Sequence, residues 1–332
     1  MNQSPGNGST RREFLLRAIK ATAAVAAASF IGYRFRTNRP PARTSEDAGT
    51  FSLPDFSIPN RPARMCVVTG ADRTKTINLA LDALGGMGEF VKNGDHVLIK
   101  VNAAFATPPL LGATTHPQLL EDVIRLCYAA GAAAVAVTDN PINDAASCFE
   151  LTGLAAAARS AGARVAVPRE ASFRPCTVPG ATYLVNWPVL AEPFRGVTKL
   201  IGLAPVKDHQ RSGASMTLKN WYGLLGGRRN VFHQDIHGII TDLAMMVKPT
   251  LVVLDGTQTM MTNGPTGGSL SDLKATNTMI VSTDPVAADA FGATLLGRTP
   301  ADLPYILRAA AAGAGTANYD LLNPIMLKAG ET

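Results

Sequence analysis

No C-x-x-C pair occurs among the four cysteines, Cys66, Cys127, Cys148 and Cys176, and their wide spacing argues against an intrinsic iron–sulphur or zinc centre. Cys66 opens an apolar strand and Cys127 sits in an apolar helix, so both read as buried small hydrophobes. A Cys148–Cys176 disulfide would suit an oxidising compartment, but spacing does not fix the pairing. The formal charge of +6 hides a second absence: eight of the 31 Lys/Arg and one of the 25 Asp/Glu fall in residues 1–43, leaving 23 basic against 24 acidic residues. The rest of the chain therefore lacks the basic footprint that nucleic-acid binding requires, and any anion site must be local. With no long hydrophobic run after residue 43, the remainder is expected to be soluble and globular. No internal repeat, P-loop or dinucleotide fingerprint is present.

What stands at the front is a pattern of address. Ser9-Thr10-Arg11-Arg12-Glu13-Phe14-Leu15-Leu16 is followed by the alanine-rich run Ala21 to Ala28, the order of a twin-arginine signal, which a receptor reads. A periplasmic or extracytoplasmic location through the twin-arginine export machinery is expected. The apolar run is shorter than the roughly 20 residues that span a bilayer; cleavage after Ala28 would release the chain, and an uncleaved signal would tether it. The domain reading is a signal with its basic flank over 1–43, a proline-rich linker over 44–64, an α/β domain over 65–315 and a tail over 316–332.

Periodicity alternates strand and helix. Strands are expected at 65–69, 97–101, 133–138 and 163–167, with helices at 76–91, 117–130 and 145–160. Residues 169–195, with four prolines, are expected to form hairpins or a cover. The second half adds strands at 197–203, 251–254 and 278–282 and helices at 234–246, at 285–295 behind Pro285, and from Asp302. The fold class is α/β, a mostly parallel sheet flanked by helices, with two intimately packed lobes as an option.

Polar residues gather where strands end. Lys100 and Asn102 leave the second strand, Asp139 the third, Lys207 and His209 the strand at 197–203, and Asp255 the run Leu251 to Leu254; ligands in open α/β sheets bind beyond such carboxyl ends. Lys100 shares its strand with apolar residues, where a charge needs a partner or a wet cavity. Capping is the alternative for Asp139, Asp255 and His116. Lys207, His209 and Lys219 are the catalytic candidates. Lys100, Asn102, His116, Asp139, Asn220, Asp255 and Asp289 are the ligand-binding ones. His233 and His237 would share a helical face as a metal pair, a weak pattern without a following H-E-x-x-H. Ammonium and amide donors at Lys207, Lys219 and Asn220 match carboxylate or phosphate oxygens, and the glycine-rich Asn263 to Ser269 could bring backbone amides to an anion.

Several pieces in order resemble the bacterial and archaeal family of unknown function catalogued as number 362. They are Ile99-Lys100-Val101-Asn102, Thr115-His116-Pro117, Val206-Lys207-Asp208-His209, Thr217-Leu218-Lys219-Asn220 with Gly223, His233, Leu254-Asp255-Gly256 through Gly264-Pro265, and Asp284-Pro285-Val286-Ala287-Ala288-Asp289. The resemblance implies an α/β domain and an association with ferredoxin-type iron–sulphur modules, fused or encoded nearby. This chain departs from those members: it has no cysteine cluster, and Lys100-Val101-Asn102 replaces Lys-Pro-Asn. An iron–sulphur or other redox centre would then belong to a partner subunit. The first functional reading is an exported, redox-associated or metal-assisted enzyme with a cleft for a small anionic ligand. The alternative is a non-catalytic binding or maturation partner of an exported oxidoreductase.

Overall fold

Runs of consecutive apolar residues build the centre of the sheet. In β9, Leu251–Met260, Leu251 and Val253 join one core cluster while Val252 and Leu254 join another, so helices cover both faces, as a parallel sheet requires. The computed structural model describes residues 51–330; the signal expected over 1–43 and the start of the linker lie outside them.

The sheet also contains β1 (Met65–Thr69), β2 (His96–Lys100), β3 (Ala134–Thr138), β4 (Arg164–Val165), β7 (Lys199–His209), β8 (Gly213–Ser215), β10 (Leu273–Ser282) and β11 (Ile325–Lys328). The order is β11-β1-β10-β9-β7-β2-β3-β4, with β8 pairing β7. From β9 to β4 all neighbours are parallel, and β10 runs antiparallel between β9 and β1. Helices Arg73–Ala83, Pro117–Ala129 and Leu154–Ser160 pack on one face, and helices Ile236–Met246, Pro285–Leu295 and Pro304–Ala311 on the other. The expected mostly parallel α/β architecture is therefore what forms, on a single continuous sheet and not on two lobes.

Differences from expectation have local causes. The helix expected over 145–160 is two helices, Ala145–Leu151 and Leu154–Ser160, parted where Gly153 takes φ 72°. β7 runs on to His209 through Pro205, which sits at the register shift against β9, a place where a strand tolerates proline. Residues 169–195 form a two-stranded ribbon, β5 (Phe173–Cys176) with β6 (Trp187–Leu190). The linker reading fails from residue 51 onward: Phe56 is buried, Phe51 pairs with Cys176, and Thr250 Oγ1 donates to the Phe56 carbonyl at 2.8 Å. The expected tail supplies the edge strand β11. All four cysteines are free and buried, and among the described residues no helix is long and apolar enough to cross a membrane.

Candidate functional site

β2, β3 and β7 lie side by side and parallel, so their carboxyl ends deliver Lys100, Asp139 and Lys207 to one edge. There the Lys100 ammonium meets Asp139 Oδ1 at 2.7 Å, Asn220 Oδ1 at 2.9 Å and the Val101 carbonyl at 2.7 Å. All three ammonium protons are thus taken by the protein. Burial pushes the Lys100 pKa down and the Asp139 carboxylate opposes it. Asp139 also accepts from the Ala103 and Asn140 amides at 2.6 and 2.9 Å, and Asn220 Nδ2 donates to Leu203 O at 3.1 Å. Gly223 closes against this knot so tightly that a Cβ there would lie 1.9 Å from Asp139 Oδ1 and 2.8 Å from Lys100 Nζ. Lys100 and Asn220 form the floor of the cleft and tie β2 to helix Thr217–Asn220.

Above this floor is a cleft lined also by Asn102, Phe105, Ile142, Lys207, His209, Ser215, Lys219, Tyr222, Arg229, His233 and Pro265. Lys207 is 1% exposed. Its ammonium donates to the Ala113 carbonyl at 2.5 Å and lies 5.2 Å from the Phe105 ring. Lys219 is partly exposed, with Nζ 4.5 Å from the Tyr222 ring centre. Among the described residues neither makes an ion pair. Burial, then the neighbouring Lys219, lowers Lys207 to about 7; burial, then Arg229 and Lys100, lowers Lys219 to about 8.

The two cleft histidines are held in opposite tautomers. His209 Nδ1 faces the amides of Arg211 and Ser212, each at 3.2 Å, so that nitrogen carries no proton and the neutral ring bears it on Nε2. Burial and the nearby lysines push His209 down to about 3, which keeps it neutral. His233 Nδ1 lies 3.1 Å from the Asn230 carbonyl, so it donates there and leaves the Nε2 lone pair. Burial also lowers the His233 pKa. One ring offers a donor and the other an acceptor.

Arg229 is a cleft residue that sequence reasoning missed. It donates to the carbonyls of Pro141 at 2.7 Å and of Tyr222 and Leu225 at 3.3 Å, locking the loop over the cleft. The glycine-rich segment contributes Pro265 to the wall and is pinned through Gly264 N to Asp208 Oδ2 at 3.3 Å.

Four expected site residues lie elsewhere. Asp255 pairs with Arg73 at 2.7 Å and accepts from Thr257 N at 2.8 Å. His116 caps helix Pro117–Ala129 through Gln118 N at 3.3 Å. Asp289 is fully buried and accepts from Thr217 N at 2.8 Å, Leu218 N at 3.0 Å and the Thr217 hydroxyl; it seats the helix carrying Lys219 and Asn220. His237 stacks on Tyr305, with ring centres 6.1 Å apart, and does not line the cleft. The expected His233–His237 pair fails because His233 lies in the 3-10 turn Arg229–Asp235 and His237 in the helix that follows. Among the described residues no group of three or more His, Cys, Asp or Glu side chains gathers as a metal site.

Fold and site together define an α/β protein with a cationic cleft at the carboxyl ends of its parallel strands. The family model described as Domain of unknown function (DUF362) matches residues 97–294, and the chain belongs to that family. It is 24% identical over 258 residues to the thylakoid-associated protein sll1697 of Synechocystis, covering 75% of this chain and 78% of that protein. Among solved structures it matches the lactate racemase apoprotein of Thermoanaerobacterium thermosaccharolyticum with a TM-score of 0.40 and 13% identity. The match covers 73% of this chain and spans 58% of that one.

Proposed function

We propose that the cleft binds a small anion of the carboxylate or sulfate type and that the protein is an exported, redox-associated enzyme moving protons on it. One observation carries the anion: Lys100, Lys207, Lys219 and Arg229 line the cleft with one carboxylate, Asp139, and Lys100 already engages it. An incoming anion would supply the charge that Lys207 and Lys219 lack. Support for proton transfer comes from His233, whose Nε2 lone pair can accept a proton, while the neutral His209 offers a hydrogen bond through Nε2–H. Export is supported by the Arg11-Arg12 pattern, and an iron–sulphur or other redox partner by the family resemblance of the motifs.

Calorimetric titration with sulfate and with propionate tests the anion. Binding should weaken as pH rises from about 7 to 9, because Lys207 and Lys219 lose their protons at about 7 and 8. Lys219→Met should cost about tenfold or more, as a charged hydrogen bond contributes roughly 1.5–3 kcal/mol. Absence of binding at pH 6.5, or equal affinity in the variant, overturns the reading. A ligand that binds and is never consumed would favour a carrier or maturation role.

A further inference from the structure

Lys207 differs from the other cleft cations in a way that anion binding alone does not use. Lys100 has every ammonium proton engaged and a carboxylate partner. Among the described residues Lys207 has one carbonyl acceptor, an aromatic face and no ion pair, and it is 1% exposed near the end of β7. We propose that Lys207 is a nucleophile that condenses with the carbonyl carbon of a small 2-oxo acid, whose carboxylate Lys219 holds. This rests on the anion-binding reading and narrows its ligand to a molecule with a carbonyl beside the charge.

The chemistry closes without an added oxidant or reductant. The neutral amine attacks the carbonyl carbon; the C–N bond forms as the C=O π pair moves to oxygen, which takes a proton. The C–O bond of this carbinolamine then breaks, the oxygen leaves as water, and loss of the N–H proton gives C=N, one water per imine. The neutral His209 would hydrogen-bond the carbonyl oxygen through Nε2–H and polarise it, and His233 Nε2 would take the proton that the attacking nitrogen sheds and return it to the departing oxygen, so that both amine protons leave in the water. Because Lys207 is lowered to about 7, about half of it is free amine at neutral pH, where an ordinary lysine has almost none.

The full chain is incubated with pyruvate and sodium cyanoborohydride at pH 7, and its peptides are mapped by mass spectrometry. A single adduct on Lys207, weighing pyruvate less water plus two hydrogens, is expected. Propionate should suppress it, and acetaldehyde, which lacks the carboxylate, should label less. Lys207→Arg should form no adduct while unfolding in urea with an unbroken cooperative transition, which shows that it folds. If propionate binds but Lys207 stays unmodified, or is labelled no faster than the exposed Lys248 and Lys274, the covalent proposal fails and the anion reading stands. If neither propionate nor sulfate binds, both fall.

Discussion

Asp139→Asn isolates the electrostatics of the cleft floor. The Lys100 and Asp139 side chains are 1% and 3% exposed and 2.7 Å apart, and Asn keeps the shape while removing the charge. Breaking a buried pair by removing one partner costs about 3–5 kcal/mol, and the low end applies here because Asn220 and Val101 still accept from Lys100. The deficit should also shrink as pH rises. Without the carboxylate, Lys100 in the folded chain gives up its proton more easily than in the unfolded chain, so between those two pKa values the unfolded state binds more protons and stability climbs with pH. Urea unfolding at constant slope reads both effects. Combining Asp139→Asn with Lys100→Met should cost at least about 1 kcal/mol less than the two single changes added together. Strict additivity, or a single-variant cost under about 1 kcal/mol, would show that the pair is not the coupled unit described.

Gly223→Ala places a methyl 1.9 Å from Asp139 Oδ1 and should destabilise by at least about 1–3 kcal/mol, whereas Gly88→Ala, with nothing within 4 Å, should be near neutral in the same urea assay. His209 is lowered to about 3, so the unfolded chain takes up a proton near pH 6.5 that the folded chain refuses. Stability is therefore lost as pH falls from about 6.5 toward 3, and His209→Gln should flatten that loss; an unchanged pH profile contradicts the buried neutral imidazole. For export, residues 1–43 fused to a folded reporter should direct it across the membrane, and replacing Arg11 and Arg12 by lysine should block this in a fractionation assay.

Strand exits were the legible part of the site. Lys100, Asp139 and Lys207 follow apolar strand residues, so their placement needs only the parallel order of neighbouring strands. Asp255 follows the same rule and misled, since its partner Arg73 comes from a helix start 182 residues away in sequence. Arg229 sits beside Gly226-Gly227-Arg228, which reads as exposed loop; its burial depends on carbonyls such as Pro141, which only the folded chain brings near. The strand expected over 197–203 runs on to His209, because the register shift that accommodates Pro205 depends on β9. The His233–His237 spacing assumed a helix one turn earlier than it begins at Ile236.

Since Lys100 has no proton to spare for a guest, the cleft's titration response is narrower than its cation count implies. Arg229 stays ionised throughout the working range, and both histidines are neutral under alkaline conditions. Near pH 8 Lys207 and Lys219 are lysines that an arriving anion would recharge, so complex formation there draws hydrogen ions from the medium.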